Sequence, residues 1–263
     1  MVTNENIKKL IENSGIITHS TTSQIFKDQG WFVLISPYYY DDISESVRET
    51  DLITEKQFYS SDNWRSSSVQ VNVQLFVECK YIKQEIVFLF DKIDKKKALE
   101  TLEKETNLRI SSPYTRQGGD ITDDQFRYLN ESLAAKIFST NSNKEDVIYK
   151  AMNQVLHSQI YHRAKGKKPI ENEFIQHKEI FSHIIQYPVI VCDGFDKLLE
   201  VKFENNKKYT TQPIQKRFLL EANYRDEYFL IDIIDINYLQ EFLENIDKEA
   251  NKLISSYSFK QRN

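Results

Sequence analysis

The segment Val69 to Tyr81 constrains this chain more than any other, because it is apolar enough for a central strand yet finishes Leu75-Phe76-Val77-Glu78-Cys79-Lys80. Side chains alternate along a strand, so Glu78 and Lys80 share one face while Val77 and Cys79 share the other. Charges at the end of a buried strand are costly unless they are paired, hydrated or bound to a metal. Upstream, Val47-Arg48-Glu49-Thr50-Asp51-Leu52-Ile53 places a second set of carboxylates in a strand, with Glu49 and Asp51 on one face. If the two strands are neighbours, Asp51 and Glu78 converge on one hard divalent cation. Carboxylate oxygens completed by water and a substrate phosphate are what Mg²⁺ prefers. Lys80, one pleat away, can then orient the attacking water and stabilise charge developing on phosphorus.

Around these motifs the hydrophobic period changes several times. Asn4 to Phe26 reads as helix with a break at Asn13-Ser14-Gly15, and a second short helix is predicted from Thr21 to Gly30. Trp31 to Tyr40, Val47 to Thr54, Val69 to Tyr81 and Gln84 to Phe90 read as strands, with a loop at Ser60 to Ser68. Helices are predicted for Asp94 to Thr106, Asp123 to Phe138, Lys144 to Arg163 and around Phe174 to Ile185. Strands follow at Pro188 to Cys192, Arg217 to Ala222 and Glu227 to Ile234. A terminal helix carries Leu239, Phe242, Leu243, Ile246, Ala250 and Leu253 at helical spacing. No repeat or proline-rich linker interrupts the chain, so one continuous α/β domain is expected over residues 1–263.

Composition excludes several classes. Only six glycines occur in 263 residues, and they form neither G-x-G-x-x-G nor G-x-x-x-x-G-K, which argues against a P-loop ATPase or a dinucleotide-binding enzyme. A G-x-S-x-G hydrolase is excluded in the same way. Cys79 and Cys192 cannot build a disulfide framework and read as core residues. Apolar runs fall far short of the roughly 18 residues a membrane span needs. Met1 to Leu10 lacks the apolar core of a secretory signal, so a cytoplasmic location is expected. The net charge of −4 leaves room for a local basic patch, and Arg163, Lys165, Lys167 and Lys168 form one in a predicted Gly/Pro loop where it could contact nucleic-acid phosphates. On the helix before that loop, Lys150, Gln154, His157 and Tyr161 share a polar face. The five histidines show no metal-ligand spacing. Tyr38 to Tyr40 at a strand end reads as core packing rather than as a base-stacking surface.

The pieces Arg48-Glu49-Thr50-Asp51-Leu52-Ile53 and Phe76-Val77-Glu78-Cys79-Lys80, in the order helix, Asp strand, Glu-x-Lys strand, helix, resemble the PD-(D/E)xK nucleases, the fold of many restriction endonucleases and Holliday-junction resolvases. Tyr187 to Gly194, the later Phe229 to Ile234 strand and the terminal helix resemble the back half of stand-alone bacterial members. The resemblance implies a restriction-endonuclease-like core with a mixed central sheet flanked by helices. Its core motifs would lie in residues 1–165, with C-terminal strands and a helix at 170–257 completing the same domain. It implies Asp51 and Glu78 as metal ligands for Mg²⁺ (or Mn²⁺), Lys80 as the catalytic lysine, and Gln154 as a polar side chain beside the metal. The implied activity is hydrolysis of phosphodiester bonds, with DNA as the expected substrate and a homodimer or partner subunit as the expected assembly. Two features depart from the family. Asp51 and Glu78 stand 27 positions apart, so the Ser60 to Ser68 loop would be an insertion, and His19 stands where members often carry a helical Glu. That second departure admits an alternative, a non-cutting scaffold that binds nucleic acid or a partner protein.

Overall fold

In the computed structural model the described residues are 4–41, 45–60, 67–105, 126–140, 147–166, 179–204 and 208–260. Two helices, α1 (Asn4–Asn13) and α2 (Ile16–Asp28), come first. They are separated at Gly15, whose φ of 75° suits a residue without a Cβ. Five strands follow: β1 (Phe32–Ile35), β2 (Tyr38–Asp41), β3 (Ser46–Glu49), β4 (Leu52–Tyr59) and β5 (Ser67–Tyr81). Then come β6 (Ile86–Lys92), α3 (Lys95–Glu105), α4 (Arg127–Asn130), β7 (Leu133–Thr140) and α5 (Val147–Gly166). The rest comprises β8 (Glu179–Asp193), β9 (Leu198–Phe203), β10 (Tyr209–Pro213), β11 (Arg217–Tyr224), β12 (Glu227–Asp235) and α6 (Leu239–Lys260).

Ten strands form one sheet in the order β1-β4-β5-β8-β12-β11-β7-β6-β9-β10, and β2 with β3 makes a separate two-stranded hairpin. The sheet is mixed: β5 runs antiparallel to β4 and parallel to β8, and β8 runs parallel to β12. Strand β5 is thus interior, and its alternation sorts its side chains as the sequence predicts. Val71, Val73, Leu75, Val77 and Cys79 enter one hydrophobic cluster with Phe26 of α2 and Leu243, Ile246 and Ala250 of α6. Ile148, Ala151 and Val155 of α5 pack with Ile190, Ile231 and Ile233 in a second cluster. Helices flanking a mixed sheet give this α/β layout its two cores. Both cysteines are buried and free.

Several elements differ from the expectations. The predicted helix Asp123 to Phe138 is, from residue 126 onward, the short α4 followed by strand β7. Leu133-Ala134-Ala135 has helical propensity, but β7 is held antiparallel to β6 and parallel to β11, and tertiary pairing overrides propensity. The predicted helix Phe174 to Ile185 is, over its described residues, the first part of β8, which pairs with β5 from Ser67↔Glu179 to Tyr81↔Asp193. Strands β9 and β10 had no counterpart in the sequence reading. The run Trp31 to Tyr40 is broken at Ser36-Pro37, and Val47 to Thr54 is broken at Thr50-Asp51. The predicted loop Ser60 to Ser68 overlaps β5 at Ser67 and Ser68, and its residues 61–66 lie outside the described residues. No described helix is long and apolar enough to cross a membrane.

Candidate functional site

Asp51 sits in the bend that opens β4, and Glu78 and Lys80 sit near the end of β5. Because Leu52 pairs with Val77 in the antiparallel β4–β5 ladder, the two carboxylates come from facing ends of neighbouring strands. The ladder runs from Leu52↔Val77 to Tyr59↔Gln70, so most of the 27-residue separation is paired strand rather than loop.

Each acid is held by the other strand's backbone. The Asp51 N–H donates to Glu78 Oε1 at 3.2 Å, and the Cys79 N–H donates to Asp51 Oδ2 at 2.8 Å. Lys80 lies across both, with Nζ 2.6 Å from Glu78 Oε2 and 3.8 Å from Asp51 Oδ2. From α5, Gln154 Oε1 accepts a hydrogen bond from Lys80 Nζ at 3.3 Å. On the other side of Asp51, His19 Nε2 lies 3.1 Å from the Asp51 carbonyl oxygen. Helix α2 is brought over this strand end by Asp193, which accepts from Thr18 Oγ1 at 2.8 Å and from the Ile82 N–H at 3.2 Å. A turn must follow at once, and Gly194 makes it: a Cβ there would come within 2.9 Å of the Ile82 carbonyl oxygen.

The electrostatics are unbalanced. Glu78 is fully buried, and burial pushes its carboxyl up to about 7, with the Lys80 charge opposing and the Asp51 charge adding to the rise. The Lys80 ammonium is raised by the Glu78 and Asp51 charges in spite of its own burial, so it stays protonated. One ammonium therefore does not offset two close carboxylates in this environment. Asp51 and Lys80 face a cleft of about 460 Å³ lined also by Ser14, Gly15, His19, Ser36 and Lys83. Asp51 lines the cleft and Glu78 lies behind it with both oxygens hydrogen-bonded, so a divalent cation would reach Glu78 by displacing Lys80 from Oε2. Asp51 and Glu78 would hold it. Among the described residues no cluster of three or more His, Cys, Asp or Glu side chains is present.

Three of the four residues on the polar face of α5, Gln154, His157 and Tyr161, are packed, whereas Lys150 is exposed. Gln154 reaches the site, His157 pairs with Asp41 of β2 at 2.8 Å, and the Tyr161 ring lies 5.2 Å from that of Tyr39. The hairpin residues Tyr39 and Asp41, which the sequence reading passed over as part of this site, are thereby fixed next to it. The signal that could have found them was the polar character of the α5 face, which needs polar partners once buried.

Of the four predicted phosphate-contacting cations, Arg163 lies within α5 and pairs with Glu227 at 2.9 Å, rather than standing in a loop free of acids. Lys165 also belongs to α5, and Lys167 and Lys168 lie outside the described residues. Glu49 ends β3 opposite Tyr38 and takes no part in the Asp51–Glu78–Lys80 contacts. Of the histidines, His162 bonds its own helix at the Ser158 carbonyl, and His177 lies outside the described residues. The chain matches no protein-family model, and comparisons with curated proteins and with solved structures likewise return no match.

Proposed function

We propose that this chain is a metal-dependent nuclease with a restriction-endonuclease-like core, hydrolysing phosphodiester bonds in DNA. The observation that carries the reading is the convergence of Asp51, Glu78, Lys80 and Gln154 from three separate elements at one strand end beside an open cleft. Asp51 and Glu78 would hold Mg²⁺ (or Mn²⁺), which when bound supplies Lewis-acid polarisation of a phosphoryl oxygen and a water acidified for attack. Lys80 carries fixed positive charge to the phosphate and opposes charge developing on its oxygens. Gln154 holds the Lys80 ammonium from the α5 side and limits the directions it can take. The β4 and β5 backbone amides hold both carboxylates in place, so little reorganisation is needed when substrate arrives.

A second reading is a scaffold that binds nucleic acid or a partner without cutting. It is favoured by the tight Lys80–Glu78 pair and by the presence of His19, not a carboxylate, against Asp51. Cleavage of single- and double-stranded DNA, linear and circular, with Mg²⁺, Mn²⁺ or EDTA separates the two. The nuclease reading expects metal-dependent cutting that falls by about 100- to 1,000-fold in Asp51→Ala and in Lys80→Ala. Identical behaviour of wild type and variants on every substrate would leave the binding scaffold.

A further inference from the structure

The β2–β3 hairpin rises directly from the candidate site. Its base is tied by the Ser36 N–H donating to the Asp51 carbonyl at 2.9 Å and the Thr50 N–H donating to the Pro37 carbonyl at 3.2 Å. Its inner face is locked. Asp41 takes Arg48 Nε at 2.8 Å and His157 Nδ1 at 2.8 Å, and His157 Nε2 meets the Tyr224 hydroxyl at 2.5 Å. Tyr39, also turned inward, packs on Tyr161.

The outer face is the reverse of this, and it corrects the core packing expected for Tyr38 to Tyr40, because strand alternation buries only Tyr39. Tyr38 is 71% exposed, Tyr40 49% and Val47 67%. Tyr38 and Tyr40 are two positions apart on one strand, so their rings stand on the same face about 7 Å apart. Opposite them in the ladder are Glu49, which holds the Tyr38 hydroxyl, and Val47, so among the described residues the hairpin's outer face offers two rings, one aliphatic side chain and one carboxylate. The Lys80 and Lys83 charges lie instead in the adjoining cleft, whose wall includes Ser36 and Asp51 at the base of the hairpin.

We propose that the outer face of the β2–β3 hairpin is a stacking platform for unpaired bases, receiving a single strand whose backbone runs along the cleft. The inference rests on the nuclease reading and deepens it by naming the form of nucleic acid the site takes. Aromatic rings stack on any base whose face is open, whereas a duplex keeps those faces covered. Charge is divided accordingly: Glu49 repels phosphates from the platform, while Lys83 on the cleft wall and a cation held by Asp51 and Glu78 would draw them to the cleft. The buried Asp41–His157–Tyr224 chain and the Tyr39–Tyr161 contact keep the platform rigid, so little ordering cost is added when bases dock.

The test is anisotropy of a labelled single-stranded oligonucleotide and of its duplex with Ca²⁺ in place of Mg²⁺, the intact length of each being checked on a denaturing gel. Tyr38→Ala combined with Tyr40→Ala is expected to weaken single-strand binding by about 10-fold or more and to leave duplex binding unchanged. Phe at both positions is expected to restore wild-type affinity, because the ring stacks without its hydroxyl. Single-strand binding that is absent in wild type, unchanged by the Ala pair, or lost equally on both ligands overturns the proposal. So does a wild-type dimer that the Ala pair dissolves while single-strand affinity stays constant, which would assign the face to a second copy of the chain. Cleavage is scored separately. If wild type cuts nothing while the tyrosines still govern single-strand binding, the nuclease reading fails and the platform stands.

Discussion

Two fully buried carboxylates, Glu78 and Asp232, stand in opposite electrostatic situations. Asp232 on β12 accepts both guanidinium NH groups of Arg127 at 2.6 Å, the Tyr128 hydroxyl at 2.8 Å and Arg217 Nη1 at 3.2 Å. The Arg127 guanidinium is itself enclosed by the rings of Tyr128, Tyr187 and Phe242, and its Nε lies 3.3 Å from Glu249 Oε2. Both Asp232 oxygens are hydrogen-bonded there, Arg127 Nε and Glu249 Oε2 meet as an ion pair without a hydrogen bond, and α4 and α6 are tied to the sheet. Among the described residues Glu78 accepts from one ammonium and one backbone amide, shares that ammonium with Asp51, and lies behind the cleft that Asp51 and Lys80 line. A saturated buried network holds a fold together, while an under-compensated one keeps capacity for a ligand.

The contrast can be broken from the saturated side first. Arg127→Met leaves Asp232 and Glu249 without their main partner, and urea unfolding should show a loss of about 3–5 kcal/mol. A variant as stable as wild type would remove the structural role assigned to that network. On the other side, the folded Glu78 carboxyl keeps its proton up to about pH 7, against 4.5 for an ordinary glutamate. Between those values the folded chain binds more proton than the unfolded chain, so stability falls as pH rises through the window. The loss should be on the order of 3 kcal/mol. Stability measured from pH 4.5 to 7 should fall in wild type and stay flatter in Glu78→Gln.

A cation should sharpen the difference further. Mg²⁺ at about a hundredfold excess over its Kd is expected to stabilise wild type by about 2.7 kcal/mol, raising Tm by at least about 5 °C. Asp51→Asn should show no such rise, and an equal rise in the variant would place the ion elsewhere. The smallest effect belongs to Gln154→Ala. Losing one hydrogen bond to Lys80 should lower cleavage by about 5- to 10-fold with Tm nearly unchanged, consistent with about 1 kcal/mol for such a bond.

How much of this was legible differs from element to element. Strand β5 and helices α5 and α6 were readable because their apolar positions repeat at a single period over many residues, and that period alone selects the buried face. The pairing of Glu78 with Lys80 on one face followed from the same alternation. Strand β7 and the first part of β8 were misread as helix, since short apolar runs fit either period and only their neighbours decide. Strand β10 is exposed along its whole length and carries no buried stripe to be recognised. The Arg127–Asp232 network was missed because its members are scattered from residue 127 to residue 249, and nothing local marks an acid that will be buried.

By itself the sequence determined the local terms: which segments alternate with period two, which repeat at helical spacing, and which charged residues share a strand face. These are set by covalent geometry within a few residues of each other. Tertiary structure alone decided that β4 lies beside β5, that α5 brings Gln154 to Lys80, and that the β2–β3 hairpin stands over Asp51. Those contacts join residues up to 74 positions apart, and they form only where burial of two apolar faces outweighs the entropy of closing such loops.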